Sequence, residues 1–219
     1  MGEQRSVIYR QWLDNEYRLW IEALQQSTVE NFKEHPMVKR MLSEDVEFPV
    51  ELRPELSMDE LERIAVIDQI GRSSVGITDV AWRMVYYADL ILRREPSSLV
   101  EIGGGVGEFY AVIGALGYRG DYYIYDLPDV SKFQIKYLAE VEWQTGLHLP
   151  VGILHHEFCV SFYALGEFDD DTKDWYIKNV LKECPHGLIA WNPHSGASEE
   201  IPFDCAVKEQ YDGSKLLLW

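Results

Sequence analysis

Hydrophobic positions recur in two rhythms along this chain, a helical one over the first 95 residues and a mixed one afterwards. Within residues 7–24, Ile8, Trp12, Trp20 and Leu24 fall near helical spacing and predict an amphipathic helix. Pro36 interrupts residues 31–41, so two short helices are expected there. Residues 48–54 read as extended. Ser57, followed by acids at 59 and 60, opens a helix through Ile70. Residues 71–76 read as a polar turn, and 78–94 as a helix ending before Pro96. From Leu99 onward, short apolar runs alternate with helical stretches. Strands are expected at Leu99-Val100, 122–125, 158–162 and 187–191, with helices at 109–116, 130–141 and 172–182. Asp129 is the expected cap of the second of these helices. Such alternation implies right-handed crossovers and a mostly parallel sheet. Residues 204–210 and 215–219 flank Asp212-Gly213 and read as a closing antiparallel hairpin. Residues 147–157 are short for a further strand, helix and return.

The chemistry concentrates where the first strand ends. Glu101-Ile102-Gly103-Gly104-Gly105-Val106-Gly107 sits between a strand and a helix, and glycines let a backbone turn sharply and approach a ligand closely. A dinucleotide site of the form G-x-G-x-x-G, counted from Gly103, needs glycine at 108, and that residue is Glu108. The spacing E-x-G-x-G-x-G resembles motif I of the class I methyltransferases that use S-adenosylmethionine (SAM). A nucleoside site of this kind requires a carboxylate at the end of the second strand to take the ribose hydroxyls, about 20 residues on. Asp126 closes Tyr122-Tyr123-Ile124-Tyr125 at that place. Leu127 follows, placed to lie against an adenine ring.

Several blocks together resemble one family, the sugar O-methyltransferases of the class I group. They are Ser98-Leu99-Val100-Glu101-Ile102-Gly103-Gly104-Gly105-Val106-Gly107-Glu108, Ile124-Tyr125-Asp126-Leu127-Pro128-Asp129-Val130, Ser161-Phe162-Tyr163-Ala164-Leu165-Gly166-Glu167 and Leu216-Leu217-Leu218-Trp219. The third block departs from the family's S-N-Y-A-x-S-E, because Phe162 and Gly166 stand in place of Asn and Ser; the polar contacts of those residues are not carried over. The resemblance implies a Rossmann-like fold, SAM as methyl donor, and S-adenosylhomocysteine as product. It implies a cofactor site of Glu101, Gly103, Gly104, Gly105, Gly107, Asp126, Leu127 and Ser161. It also implies a sugar or glycan acceptor, with fusion to or association with glycosyltransferases. A hydroxyl acceptor calls for a base at the carboxyl edge of the sheet. Glu167 and His194 are the candidates, and Tyr163 is placed to shape the methyl pocket. Residues 1–95 are expected to form a helical cap contributing to the substrate region, and 96–219 the SAM-binding domain. A nicotinamide-dependent oxidoreductase and a non-catalytic SAM-binding module are the competing readings; a small carboxylate or phenol is a competing acceptor.

Charge narrows the partners. The chain of 219 residues carries 37 acidic and 20 basic side chains, a formal charge of −17. Such an excess repels phosphate backbones and anionic membrane surfaces, so no nucleic-acid partner is expected. Cys159, Cys184 and Cys205 form no C-x-x-C, which leaves neither a zinc knuckle nor a disulfide framework. Asp169-Asp170-Asp171 reads as a helix-opening flank, and His155-His156 lacks a third ligand at a useful spacing, so no metal is expected. No apolar run reaches membrane-spanning length, and a cytoplasmic location without membrane insertion is the expectation.

Overall fold

The computed structural model describes residues 18–41, 46–73, 76–146, 157–191 and 204–219. Helix α1 covers residues 18–26. Then come a 3₁₀ turn at Phe32–Glu34, α2 (Pro36–Met41), α3 (Met58–Gln69) and α4 (Asp79–Leu92). The sheet region alternates β1 (Ser98–Ile102), α5 (Glu108–Ala115), β2 (Asp121–Tyr125), α6 (Pro128–Thr145), β3 (Phe158–Phe162), α7 (Ala164–Glu167), α8 (Asp170–Asn179) and β4 (His186–Trp191). The hairpin β5 (Ala206–Glu209) and β6 (Lys215–Leu218) follows. The described strands lie in one sheet, in the order β2-β1-β3-β4-β6-β5. Strands β1 to β4 are mutually parallel, and β6 runs antiparallel to both β4 and β5. This is a Rossmann-like α/β fold, mostly parallel with an antiparallel end.

Local chemistry explains the helix starts. Ser57 and Glu60 form a reciprocal capping box, each side chain taking the other's backbone N–H. Thr78 caps α4, and the Asp169 carboxylate caps α8 by accepting from the Thr172 N–H, so the acidic run 169–171 opens that helix. Two expectations are corrected. Asp129 does not cap α6: the helix opens two residues earlier than expected, at Pro128, whose fixed φ suits a first helical position, and Asp129 pairs with Lys132 instead. The segment expected to be extended at 48–54 contains a 3₁₀ turn, Val50–Leu52.

Side chains alternate across the sheet with a period of two. Leu99, Tyr122, Phe158, Val160, Leu188, Ala190 and Leu216 join a core that also holds Trp20, Phe32, Phe48, Ile64, Val85 and Phe109. Val100, Ile102, Cys159, Ile189, Trp191 and Leu217 face the opposite side, where Leu165, Ile177 and Leu181 cover them. Helices of residues 18–92 therefore share one continuous core with α5, α6 and the sheet. The outer strand β5 has all four residues exposed, with Lys208 and Glu209 among them. Charges on such an edge discourage pairing with another chain.

A buried ion pair fastens this helical layer to the glycine loop's helix. Lys33 is wholly enclosed and donates to Glu108, the first residue of α5, and to the Asp68 carbonyl at 3.1 Å. Asp68 in turn accepts from Arg72 Nε at 3.2 Å and from the Thr78 N–H at 2.6 Å. Burial pushes the Glu108 carboxyl up, and Lys33 offsets only part of that rise. Removing the cation strands a buried carboxylate, a loss of about 3–5 kcal/mol. Lys33→Met should therefore cost about that much in urea unfolding, and adding Glu108→Gln should recover part of it.

Candidate functional site

The topology alone makes a crevice. Strand β2 lies on one side of β1 and β3 on the other, so the connections β1-α5-β2 and β3-α8-β4 run in opposite directions along the sheet. Right-handed crossovers then place α5 and α8 on opposite faces. The carboxyl ends of β1 and β3 meet at that switch point, where ligands of open α/β sheets bind. The β5–β6 turn reaches the same edge, because Lys215 at the start of β6 pairs with Trp191 at the end of β4.

Two glycines define the loop after β1. Gly103 has φ +71°, and a Cβ there would collide with the Ala164 methyl. Gly105 has φ +57°, and a Cβ there would meet nothing within 4 Å, so its α-carbon borders open space. The Gly105 N–H donates to Asp126 Oδ2 at 2.8 Å, and the Leu127 N–H donates to Oδ1 at 2.7 Å. Gln134 on α6 donates from Nε2 to the Gly105 carbonyl at 2.6 Å and to Asp126 Oδ2 at 3.3 Å. Asp126 is thus locked to the loop. Burial raises its carboxyl to about 6 against those two backbone hydrogen bonds. Leu127 is 43% exposed beside it. Phe168 stacks on Tyr176 at 5.3 Å, and Tyr176 meets Tyr125 edge-on at 5.9 Å, adding an aromatic wall.

Glu101 lies beneath the loop and is enclosed, its Oε2 accepting from the Tyr122 hydroxyl at 2.8 Å. Burial pushes this carboxyl up to about 8; the Tyr122 bond opposes the rise and the Asp126 charge adds to it. Ser161 is fully enclosed too. Its hydroxyl donates to the Ile102 carbonyl at 2.9 Å and accepts from the Leu165 N–H, tying β3 to the loop's root. Gly104 packs over Glu101 and Ile124, and Gly107 (φ +89°) precedes α5.

A second cluster forms where β3 ends. Tyr163 takes φ +70°, a rare conformation for a residue with a side chain. Its hydroxyl donates to Asp212 Oδ2 at 3.2 Å and lies 3.2 Å from the Tyr87 hydroxyl. The Arg83 guanidinium sits 5.5 Å from the Tyr163 ring centre. Burial alone would lower the Arg83 pKa, yet Tyr163, Tyr211, Tyr87 and Asp212 together raise it, so it stays charged. Phe162 stacks parallel to Tyr87 at 4.9 Å and packs on Phe109 at 4.4 Å. Aromatic stacking thus occupies the place of the amide found in the resembling block.

Tyr163 stands directly after β3, at the sheet's carboxyl edge. Glu167 ends α7, and nothing is described of its side chain. His194 and His155-His156 lie outside the described residues. Gln134, Tyr122, Arg83, Tyr87 and Asp212 carried no sequence signal of their own beyond the Asp-Gly turn. Among the described residues no group of three or more His, Cys, Asp or Glu is arranged to hold a metal. No described helix is long and apolar enough to cross a membrane.

No family model matches the chain. No curated protein sequence matches it either. Solved structures similar to it include a SAM dependent methyltransferase from Aquifex aeolicus, 12% identical with a TM-score of 0.42 over 60% of this chain and 87% of that one. Magnesium protoporphyrin IX methyltransferase from Synechocystis PCC 6803, with bound SAM, is 9% identical with a TM-score of 0.44 over 75% and 98%. Coclaurine N-methyltransferase, bound to N-methylheliamine and SAH, is 11% identical with a TM-score of 0.40 over 84% and 60%. The site's character rests on its own geometry rather than on these likenesses.

The two raised carboxyls make stability depend on pH in a definite sense. A folded chain that holds protons to pH 8 and 6, where the unfolded chain releases them near 4.5 and 3.8, loses stability as pH rises through that range. The ligand-free protein should therefore melt at progressively lower temperature from pH 5 to 8. Glu101→Gln should flatten the upper half of that slope in calorimetry and raise the melting temperature at pH 8.

Proposed function

We propose that this chain is a SAM-dependent O-methyltransferase whose acceptor is a sugar hydroxyl. One observation carries the cofactor half: a half-buried carboxylate, Asp126, fastened to the N–H of Gly105, whose α-carbon borders open space. A cradle that a Cβ would fill, beside an acid able to accept from vicinal hydroxyls, fits an adenosyl group. SAM, when bound, supplies a methyl group on a positively charged sulfur. The protein's part is to hold and align. Asp126 takes ribose hydroxyls, Leu127 and the Phe168-Tyr176-Tyr125 wall offer apolar faces to adenine, and Gly103 and Gly105 shape the loop. Glu101, proton-bearing at neutral pH in the ligand-free chain, becomes the counter-charge for a ligand ammonium once one arrives.

The sugar reading draws on the third resembling block and on the chemistry around it. Aromatic rings with hydroxyls, a carboxylate and a guanidinium converge on Tyr163. Such a mixture suits a ligand with apolar C–H faces and many hydroxyls. The proposed acceptor site lies beside the glycine loop, since Ala164 packs against Gly103.

Calorimetry with S-adenosylhomocysteine and with NAD tests the cofactor. The homocysteine compound should bind and NAD should not; the reverse outcome returns the oxidoreductase reading. Asp126→Ala should abolish binding with the fold intact by circular dichroism. Gly105→Ala should weaken binding at least tenfold, while the positive φ costs the fold only about 1–2 kcal/mol. Methyl-labelled SAM offered with methyl glycosides of hexoses and 6-deoxyhexoses should label one or more of them. Binding without transfer to any acceptor would make the chain a non-catalytic module.

A further inference from the structure

Asp212 is a half-buried acid on a hairpin turn, held in a way that capping the turn does not require. One oxygen does ordinary local work: Oδ1 accepts from the Ser214 N–H at 2.9 Å and the Ser214 hydroxyl at 2.6 Å. The other, Oδ2, leaves the hairpin and accepts from the Tyr163 hydroxyl, 49 residues away in sequence. Tyr163 has a single hydroxyl proton, and it goes to Asp212. The Tyr87–Tyr163 contact must then run from Tyr87, which fills one lone pair on the Tyr163 oxygen. A second lone pair remains, on a phenol held rigidly at the carboxyl edge of β3.

Three further features point the same way. Tyr163 keeps φ +70° with ψ −30°, a strained setting that surrounding structure must hold. Tyr87 cannot swing away, because its ring is stacked on Phe162 and enclosed to 2% exposure. The residue after Tyr163 packs on Gly103, which sets the root of Tyr163 next to the proposed cofactor loop.

Resting on the reading of the site as a SAM-dependent O-methyltransferase, we propose that Tyr163 binds the acceptor hydroxyl and that Asp212, acting through Tyr163, receives its proton. The acceptor oxygen forms the new C–O bond as the sulfur–methyl bond breaks and its electron pair stays on sulfur. The hydroxyl proton moves to the Tyr163 oxygen while the Tyr163 proton moves to Asp212 Oδ2. Asp212 ends protonated and later releases that proton to water. Tyr163 is the catalytic residue in this scheme; Asp212 and Tyr87 are positioning residues. The described part of the molecule thus offers a proton route that uses neither Glu167 nor His194.

The test uses the full chain and two measurements. Saturation-transfer NMR follows methyl glycosides of hexoses and 6-deoxyhexoses with and without S-adenosylhomocysteine, and labelled SAM follows transfer. Tyr163→Phe should weaken glycoside binding about tenfold, the worth of one hydrogen bond, and leave S-adenosylhomocysteine affinity within twofold. Asp212→Asn should keep glycoside binding and KM while lowering kcat about 100-fold, the lower end of base assistance; Asp212→Glu should restore part of it. Full turnover in Asp212→Asn overturns the proton route. So does a glycoside bound beside SAM that the wild-type chain leaves unmethylated. A chain that binds S-adenosylhomocysteine but no glycoside overturns the acceptor subsite. Failure of the wild type to bind S-adenosylhomocysteine instead removes the cofactor reading, and the NMR arm without cofactor then judges the Tyr163 subsite alone.

Discussion

Parallel strands can be joined by crossovers of one hand only, and everything functional here follows from where that rule is applied in opposite directions. Because β1 sits between β2 and β3, α5 is driven to one face and α8 to the other. The carboxyl ends of β1 and β3 meet between them. At that point stand a loop with glycine at 103 and 105, a carboxylate at 126 and a phenol at 163. None of these residues is close to all the others in sequence. The handedness of the chain brings them together.

The edge is built from acids held where water would not leave them. Glu101 and Asp126 both hold their protons more tightly than free carboxyls do, and each is oriented by specific donors, Tyr122 for one and the Gly105 and Leu127 amides for the other. The ligand-free fold is correspondingly less stable than a fold with neutral groups in those places. Local instability at such a site is an ordinary companion of function.

How much of this was legible in the sequence depended on whether a signal was local. Periodicity, Ser57 with Glu60, the Pro96 stop and the Asp-Gly turn are interactions between near neighbours, and each produced an element where expected. Asp126 was legible because a motif sets its distance from the glycines. The expected cap at Asp129 misplaced a helix start, since Pro128 is itself a good first residue and needs no side-chain cap. Lys33, Asp68 and Glu108 could not be paired in advance: they are 35 to 75 residues apart, and only packing selects their partners. The same is true of Tyr87, Tyr163 and Asp212, which come from a helix, a strand end and a hairpin. Phe162 was legible as a departure from a pattern, but its compensation by stacking on Tyr87 was not.

The lysine at position 33 also bears on how the molecule can be divided. A minimal fragment starting at β1 would keep the whole sheet and every glycine of the loop, yet it would take the only cation bonded to Glu108 among the described residues out of the helix on which the loop rests. The leading helices are therefore not a detachable lid: cutting them off removes the cation from Glu108 and uncovers the face of α5 that α3 and α4 pack against.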